Sequence, residues 1–330
     1  MSNLSALISA PYMVIEFTRF RPIFETAGIA TIVADVEERL SEDDLLEYAG
    51  GIDGVLCGDD QFTARVLEAA APRLKIISKW GTGIDSIDLE TAKRLGIRVT
   101  NTPDAFTDAV ADSVMGYLLA FARQIPWMDQ DMKAGFWKKR RARALHECTL
   151  GVVGVGRIGK AVIRRGRAFG MRLLGNDIVE IDGSFLESTG LEMLSLPVLL
   201  AESDYVSLNC DLNPSSERLM DVKSLSMMKP GAVLINTSRG AVVDQAALVD
   251  SLQQKRIAGA ALDVFEEEPL PPDSPLRKME NVLLAPHIAN SSPRAWERVH
   301  WNSLAHLFKG LGLEVPQEVS AGLSDGSIGT

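Results

Sequence analysis

Short apolar segments alternate with segments of helical periodicity along almost the whole chain. In the first hundred residues, the stretches GIATIV, GVLC, LKIISKW and IRVTN are typical of buried strands, and SEDDLLEYA and TARVLEAA are typical of capped helices. The same alternation returns in TLGVVGVG, RLLGND, YVSLNC, AVLINTS, AGAALDVF and NVLLAPH. Strands that alternate with helices predict parallel sheets with helices on both faces, so we expect an α/β fold.

The length of the chain and two long helical segments predict two domains. A chain of 330 residues is long enough for about two domains, each with its own core. One long apolar helix is predicted to begin near Thr107, and residues 293–311 have the pattern of a single amphipathic helix. We therefore expect residues 101–287 to form a domain inserted into a second one, which consists of residues 1–100 and 288–330.

Composition and charge disfavour several classes of protein. The formal net charge of −10 and the pI near 5.0 argue against binding to nucleic acid or to an anionic membrane. Only three cysteines are present, without metal-ligand spacing, and no apolar run approaches the roughly 18 residues of a membrane span. No basic residue precedes Arg19, which argues against a secretory signal. We expect a cytoplasmic protein without a bound metal, whose residues 315–330 are too polar to pack.

Three glycines lie between a predicted strand and a predicted helix. Gly154, Gly156 and Gly159 follow an apolar run, and the sequence KAVIRRGRAFG comes directly after them. In a dinucleotide-binding loop the first glycine permits the tight turn, the second lets the backbone approach the pyrophosphate, and the third permits close packing of helix on strand. Free N–H groups at the helix N-terminus then attract the phosphates. The triplet by itself would also fit a strand-to-helix turn that binds nothing.

An acidic residue at the end of the next predicted strand favours the dinucleotide interpretation. Asp177 follows the segment MRLLGN, where a carboxylate accepts hydrogen bonds from the adenosine ribose and repels a 2′-phosphate. The next residues, Ile178 and Val179, are apolar, so no arginine stands there to receive such a phosphate. We therefore predict that the cofactor is NAD.

Three ionisable residues follow further apolar runs: Arg239 in LINTSRG, Glu268 in LDVFEEEPL and His287 in LLAPHIANSS. Ligands of open parallel sheets bind outside the carboxyl ends of the strands, which directs these residues toward one crevice. A histidine, with an ordinary pKa of about 6.5, is suited to exchange a proton with a hydroxyl while a hydride moves, and a nearby carboxylate orients its ring. An arginine holds a carboxylate with its planar donors. Each residue also has a structural interpretation: His287 as a partner of a backbone carbonyl, Glu268 as a solvated surface charge and Arg239 as an ion-pair partner.

The chain resembles the D-isomer-specific 2-hydroxyacid dehydrogenases over residues 1 to about 312. The resemblance is carried by KWGTGIDSIDLE, NTPDAFTDAVAD, GVVGVGRIGKAV, GNDIV, MKPGAVLINTSRGAVVDQAAL, AGAALDVFEEEPL and LLAPHIANSS, in the family's order and spacing. Within the family the chain is most similar to the phosphoglycerate dehydrogenases, in a short form without a regulatory domain. The resemblance implies two doubly wound parallel-sheet domains, a flavodoxin-like substrate domain and a Rossmann NAD domain, with a cleft between them, in a homodimer.

The resemblance also implies roles for individual residues. The catalytic residues are Arg239, Glu268 and His287, and the substrate is held by Lys79, Thr82, Gly83 and Arg239. The residues that contact NAD are Gly154, Gly156, Arg157, Ile158, Gly159, Asp177, Cys210, Ser216, Thr237 and Asp263. Trp80 replaces the small residue of many relatives and is expected to narrow the substrate pocket. No motif of the family includes His146, His300 or His306, and we expect no catalytic role for them.

The expected substrate is a D-2-hydroxy acid or the matching 2-oxo acid. We expect D-3-phosphoglycerate to be oxidised at C2 to 3-phosphohydroxypyruvate, because Lys79 and the basic run 138–143 supply cations for a phosphate in an otherwise acidic chain. The same run has a plainer interpretation as a solvated helix face. The alternative within the family is the reduction of glyoxylate or hydroxypyruvate. Glyoxylate would need none of these cations. An NAD-sensing, corepressor-like binding protein is the alternative of another class.

Overall fold

The computed structural model describes residues 4–325 and divides into two compact units. The discontinuous unit contains the chain up to Phe106 and from Ser292 onward, and the central unit is Thr107–Ser291. The first division falls at the start of a long helix and the second directly before another one, so neither interrupts a regular element. Among the described residues, no helix is both long and apolar enough to cross a membrane.

A five-stranded parallel sheet forms the centre of the discontinuous unit. Its strands are β1 (Leu4–Ile8), β2 (Ile29–Val33), β3 (Gly54–Cys57), β4 (Ile76–Lys79) and β5 (Arg98–Thr100). They lie side by side in the order β2-β1-β3-β4-β5, which is the order of flavodoxin-like sheets. The helices of this unit are α1 (Pro11–Thr26), α2 (Glu42–Tyr48), α3 (Ala64–Ala70), α4 (Leu89–Leu95), α12 (Pro293–Gly310) and α13 (Gln317–Asp325).

Capping residues determine where the short helices of this unit begin. The Ser41 hydroxyl accepts a hydrogen bond from Asp44 N–H, and the Asp44 carboxylate accepts one from Ser41 N–H, so α2 starts with a capping box. Thr63 caps α3 and Asp88 caps α4 with one such bond each. The caps satisfy N–H groups that otherwise lack a partner at the start of a helix. The strands and helices expected in the first hundred residues are confirmed.

The C-terminal segment differs from the expectation that it stays unpacked. Its described part contains α13, which packs on α12. Val319 is fully buried, and Gly322 lies so close to Trp301 that a Cβ there would be 2.2 Å from the indole ring. The helix therefore packs on α12 although its segment contains few apolar residues. The expectation for residues 326–330 lies outside the described residues.

A seven-stranded parallel sheet forms the centre of the central unit. Its strands are β6 (Thr149–Val153), β7 (Arg172–Asn176), β8 (Glu192–Met193), β9 (Tyr205–Leu208), β10 (Val233–Asn236), β11 (Gly259–Leu262) and β12 (Val282–Leu284). The order β12-β11-β10-β9-β6-β7-β8 is the Rossmann order with one additional strand. The helices are α5 (Thr107–Arg123), α6 (Ile125–Lys133), α7 (Arg157–Ala168), α8 (Gly183–Thr189), α9 (Leu196–Glu202), α10 (Val222–Met227) and α11 (Gln245–Gln253).

Two separate hydrophobic cores cover the two faces of this second sheet. One core contains residues of α5, α7 and α8, and the other contains residues of α9, α10 and α11. Strands β9 and β10 are buried at every position, which explains why most of their residues are apolar. The prediction of two doubly wound parallel sheets, one flavodoxin-like and one of the Rossmann type, is confirmed.

Candidate active site

The glycine-rich loop joins β6 to α7 in the central unit. Gly154 has a φ of +88°, and a Cβ there would lie 2.5 Å from Cys210 N, so only glycine fits. A Cβ on Gly159 would lie 2.0 Å from the carbonyl oxygen of Gly154, so this glycine lets the helix pack on the turn. A Cβ on Gly156 would meet nothing within 4 Å. Space therefore opens beside Gly156, the position at which a pyrophosphate approaches the backbone.

The helix α7 begins without a side-chain cap. Its N-cap is Gly156, so no side chain of that residue accepts the N–H groups of the first turn. These N–H groups and the positive end of the helix dipole suit a phosphate. Arg157 and Ile158, both predicted to contact the pyrophosphate, are the first two residues of this helix.

Asp177 follows β7 directly and is tied to the glycine-rich loop. Its Oδ2 accepts a hydrogen bond from Val155 N–H at 2.6 Å, and its Oδ1 accepts one from Val179 N–H at 3.0 Å. Both bonds hold the carboxylate at the carboxyl end of the sheet, where it reaches a ribose hydroxyl in a dinucleotide site. The neighbours Ile178 and Val179 are exposed and carry no charge.

Three further residues predicted to contact NAD follow β9 and β10. The backbone of Cys210 packs against Gly154, and burial raises the pKa of the Cys210 thiol to about 11. Ser216 is buried, and its hydroxyl donates a hydrogen bond to the Asp211 carbonyl at 2.6 Å, which stabilises the loop after β9. The buried Oγ1 of Thr237 has no hydrogen-bond partner among the described residues. A hydroxyl in that position suits a polar group of a ligand, and together these features fit a dinucleotide.

His287 and Glu268 form a hydrogen-bonded pair. Nδ1 of His287 lies 3.0 Å from Oε2 of Glu268, and the two side chains are only 20% and 12% exposed. The other carboxylate oxygen, Oε1, accepts Phe265 N–H at 2.8 Å. Because a carboxylate only accepts hydrogen bonds, Nδ1 carries the proton of this pair. Exchange of a proton with a substrate then falls to Nε2.

Asp263 fastens the segment that carries His287. Its two carboxylate oxygens accept Ile288 N–H and Ala289 N–H, each at 2.9 Å, and its carbonyl oxygen accepts His287 N–H at 2.8 Å. His287 has a φ of +49°, a conformation that residues other than glycine rarely adopt. The three bonds hold the backbone in this conformation. Burial raises the pKa of Asp263, and its two N–H partners act in the opposite direction.

Arg239 lies in the loop that follows β10. The adjacent Gly240 packs so closely against the next loop that a Cβ there would lie 1.9 Å from the Phe265 carbonyl. Because Phe265 is hydrogen-bonded to Glu268, the loops that carry Arg239 and Glu268 are in direct contact. Strands β10, β11 and β12 are neighbours in the sheet, so Arg239, Glu268 and His287 all lie at one edge of it.

Lys79, Thr82 and Gly83 lie in the discontinuous unit, at the end of β4 and in the loop after it. Lys79 is buried, its Nζ lies 3.2 Å from Asp59 Oδ1, and it donates to the Trp80 carbonyl at 3.2 Å. Its charge is thus paired with an acid of the same unit. The N–H groups of Thr82 and Gly83 donate no hydrogen bond to another residue within the described part of the chain. Two such backbone donors suit a carboxylate.

Trp80 does not take the place that its bulk suggests. We expect it to narrow a pocket, whereas its side chain is only 3% exposed and packs inside the discontinuous unit. Its ring centroid lies between 4.7 and 6.2 Å from those of Tyr12, Phe106, Trp296 and His300. The expectation that Trp80 narrows the pocket is wrong, because its indole packs among these rings in the interior of the unit.

The basic run 138–143 has no regular secondary structure, so its interpretation as a helix face is wrong. Lys138 and Arg140 pair with Asp131, at 3.5 and 2.7 Å. Arg143 pairs with Asp204 at 3.1 Å. Three of the five cations of this run therefore contact two acids of the central unit, which leaves fewer for a phosphate than the sequence suggests.

The residues that fasten the functional loops were not identified from the sequence. The Asn101 side chain donates to the Thr82 carbonyl at 2.6 Å, and Gly81 N–H donates to Thr102 Oγ1 at 3.2 Å. His300 accepts a hydrogen bond from Trp80 Nε1 at 2.9 Å, across 220 positions of the chain. The turn Asn-Thr-Pro at 101–103 was a visible signal, but only of a boundary. Nothing local in the sequence marks His300 as a partner of Trp80.

Comparison with known proteins identifies the family to which this chain belongs. Residues 115–289 match the family model described as D-isomer specific 2-hydroxyacid dehydrogenase, NAD binding domain. The chain is 44% identical to a glyoxylate reductase of Korarchaeum cryptofilum over 246 residues, and the matched region is 73% of this chain and 74% of the relative. It is 37% identical to a D-3-phosphoglycerate dehydrogenase of Methanocaldococcus jannaschii over 264 residues, and the matched region is 79% of this chain and 50% of the relative. A crystal structure of D-lactate dehydrogenase from Aquifex aeolicus, complexed with NAD and lactic acid, has a TM-score of 0.80 at 27% identity and covers 98% of this chain and 97% of that one.

This chain belongs to the D-isomer specific 2-hydroxyacid dehydrogenases. It is an oxidoreductase, and its expected cofactor, NAD, is confirmed by the matched NAD binding domain. The matched region contains the glycine-rich loop and Asp177 as well as Arg239, Glu268 and His287.

Proposed function

We propose that this enzyme reduces a small, unphosphorylated 2-oxo acid, with glyoxylate as the foremost substrate and hydroxypyruvate next. The observation that carries the proposal is the 44% identity to a glyoxylate reductase over about three quarters of both chains. The phosphoglycerate dehydrogenase relative is 37% identical, and only half of its length is covered. This choice replaces D-3-phosphoglycerate, the substrate that the basic residues of the sequence favour.

The proton of the reaction comes from the pair formed by His287 and Glu268. When bound, NADH supplies the hydride that adds to C2 of the 2-oxo acid. The carbonyl oxygen of the substrate gains negative charge, and His287 donates a proton to it from Nε2, which yields the hydroxyl group. Glu268 holds the ring through Nδ1 and stabilises its protonated form with a negative charge. In the oxidation direction the same nitrogen accepts the hydroxyl proton.

The substrate is held by one cation and two backbone donors. Arg239 binds the carboxylate and carbonyl oxygens with its planar set of N–H groups. Thr82 and Gly83 offer their backbone N–H groups to the carboxylate. In this proposal the discontinuous unit binds the substrate, and the central unit binds NAD and supplies the proton.

The charges around the predicted phosphate contacts support an unphosphorylated substrate. Lys79 pairs with Asp59. Of the five cations in the basic run, Lys138 and Arg140 share Asp131 and Arg143 pairs with Asp204, so fewer remain for a phosphate than the sequence suggests. Glyoxylate carries only a carboxylate, for which one arginine and two backbone donors are enough.

A panel of 2-oxo acids tests the proposal. NADH oxidation is followed with glyoxylate, hydroxypyruvate, 3-phosphohydroxypyruvate and 2-oxoglutarate, and kcat/KM is compared. We expect kcat/KM for glyoxylate to exceed that for 3-phosphohydroxypyruvate by at least about tenfold, equivalent to about 1.4 kcal/mol. The paired substitutions Lys138→Ala and Lys139→Ala are expected to leave glyoxylate reduction unchanged. A preference for the phosphorylated acid that these substitutions abolish would refute the proposal.

We also propose that the enzyme is a homodimer joined through residues 125–137. Ile125, Met132, Phe136 and Trp137 are between 52% and 81% exposed, and so many large apolar side chains in one short segment are typical of a contact surface. Pairing of two copies about a two-fold axis would cover this segment in both. Sedimentation velocity is expected to show a dimer for the wild type and a monomer for Phe136→Ser/Trp137→Ser. A monomeric wild type would exclude this assembly.

A further inference from the structure

The loop that follows β4 is held in place by the turn before α5. We call residues 80–83 the carboxylate loop. Thr102 Oγ1 donates to the Gly81 carbonyl at 3.0 Å, and the Asn101 side chain donates to the Thr82 carbonyl at 2.6 Å. Gly81 has a φ of +127°, so the chain turns sharply here. These contacts fix the loop from one side, while its backbone N–H groups at positions 82 and 83 donate to no other described residue.

The Trp80 side chain connects the carboxylate loop to α12. Its Nε1–H donates to Nδ1 of His300 at 2.9 Å, and the two side chains are 3% and 0% exposed. The hydroxyl of Ser78, on β4, donates to the Ser303 carbonyl on the same helix at 2.8 Å. Two hydrogen bonds therefore join β4 and its loop to α12. Only the bond at His300 reaches the loop itself.

We propose that His300 is a positioning residue for the substrate: by accepting the Trp80 indole N–H it keeps the carboxylate loop in the conformation that binds the substrate carboxylate. The inference rests on the proposed function, which assigns this loop a carboxylate ligand. Acceptance at Nδ1 requires a neutral ring with its proton on Nε2. Burial lowers the pKa of His300 to about 4, so the ring is neutral near pH 7.

Loss of the acceptor leaves the indole N–H without a partner in a buried place. The cost of that unpaired group favours conformations in which Trp80 turns toward water and displaces the loop. Substrate then binds only the fraction of molecules whose loop is in place, and the apparent affinity falls by that fraction. The proton-donating pair in the central unit is unchanged, so the effect falls on KM and much less on kcat.

Matched substitutions on α12 separate this role from a general loss of packing. His300→Leu removes the acceptor, whereas His300→Asn keeps an acceptor oxygen near the position of Nδ1. His306→Leu makes the same change at a partly buried histidine of the same helix that is neither the hydrogen-bond partner nor a ring partner of Trp80 among the described residues. Trp80→Phe removes the donor and keeps a ring, which covers the case in which His300→Leu does not fold.

Two readouts are compared for these variants. The first is KM and kcat for glyoxylate at saturating NADH, and the second is hydrogen–deuterium exchange of residues 80–83 without substrate. We expect His300→Leu to raise KM about fivefold to thirtyfold with kcat within about twofold, and to speed exchange in the loop. Trp80→Phe removes the hydrogen bond that ties the loop to α12 without leaving an unpaired N–H, so it is expected to change both readouts in the same direction but by less. His300→Asn and His306→Leu are expected to stay close to the wild type.

The outcomes distinguish the inference from the proposed function. Unchanged KM and exchange in His300→Leu would overturn the inference, and so would an equal effect of His306→Leu. If the wild type reduces no 2-oxo acid, the proposed function fails, and exchange in the loop still decides whether His300 positions it. If the wild type reduces glyoxylate and only the inference fails, the proposed function stands.

Discussion

Nδ1 of His287 lies 3.0 Å from Oε2 of Glu268, and the other oxygen of that carboxylate accepts Phe265 N–H at 2.8 Å. The backbone thus fixes the carboxylate, and the carboxylate fixes the ring. The orientation of His287 is determined by the loop after β11 before any substrate binds, which is the preorganisation that proton transfer requires. The same contacts distinguish Glu268 from the exposed acids Glu266 and Glu267.

Substitution of Glu268 tests the value of that orientation. Glu268→Gln keeps the shape of the side chain but removes the negative charge that stabilises a protonated His287. A hydrogen bond to a charged group contributes about 1.5–3 kcal/mol, so we expect kcat for glyoxylate reduction to fall about tenfold to 150-fold. Steady-state kinetics at saturating NADH measures the loss. Glu267→Gln is the control, and a variant at Glu268 that matches this control would show that the carboxylate has no such role.

Substitution of Asp177 tests the choice of cofactor. Asp177→Ala removes the acceptor for the ribose and the charge that repels a 2′-phosphate. We expect KM for NADH to rise about tenfold and the preference for NADH over NADPH to shrink by at least as much. Asp177→Asn keeps one acceptor oxygen, for Val155 N–H, and loses the charge together with the acceptor for Val179 N–H, so it separates the order of the glycine-rich loop from charge repulsion. Equal use of NADH and NADPH by the wild type would contradict this assignment.

The burial of His300 gives folding stability a dependence on pH. Burial lowers the pKa of His300 to about 4 from 6.5, with Glu297 acting in the opposite direction and Arg19 in the same one. As pH falls below 6.5 the unfolded chain takes up this proton and the folded chain does not, so stability is lost between about pH 6.5 and pH 4. We expect the wild type to lose about 2 kcal/mol more free energy of unfolding than His300→Leu between about pH 7 and pH 5.

Urea unfolding of both proteins at the two pH values measures this difference. Asp60 is also buried, its pKa is raised to about 6, and it therefore stabilises the fold as pH falls through that value. Because Asp60 is present in both proteins, its opposite contribution cancels in the comparison. Identical pH dependence in the two proteins would show that His300 does not titrate in this way.

Elements that are buried on both faces were predictable from the sequence, and marginal ones were not. Strands β3, β9 and β10 are buried at every position, so each appears as a mainly apolar run. The packing of helix α13 was not predicted, because among its described residues only Val319 and Gly322 are buried, and Gly322 contacts Trp301. Such contacts leave no periodic pattern in a polar segment.

Local motifs in the site were predictable, and distant partners were not. Gly154, Gly159 and Asp177 belong to one strand–turn–helix–strand unit, whose spacing the sequence displays directly. Trp80 and His300 are 220 positions apart, and their pairing depends on how α12 packs on the sheet. The charge balance of the basic run likewise depended on tertiary contacts, because Arg143 meets Asp204 only in the folded chain.

The proposed role of His287 is tested by kcat for NADH-dependent reduction of glyoxylate by the wild type and by His287→Ala. Because the proposed mechanism assigns the proton to His287, we predict that the wild type reduces glyoxylate and that the variant loses about 10²–10⁴-fold in kcat. The Kd for NADH, measured by its fluorescence, is expected to stay within about twofold, since the glycine-rich loop and Asp177 are unchanged. A variant with near wild-type turnover, or a wild type that oxidises no NADH with glyoxylate, would contradict the account.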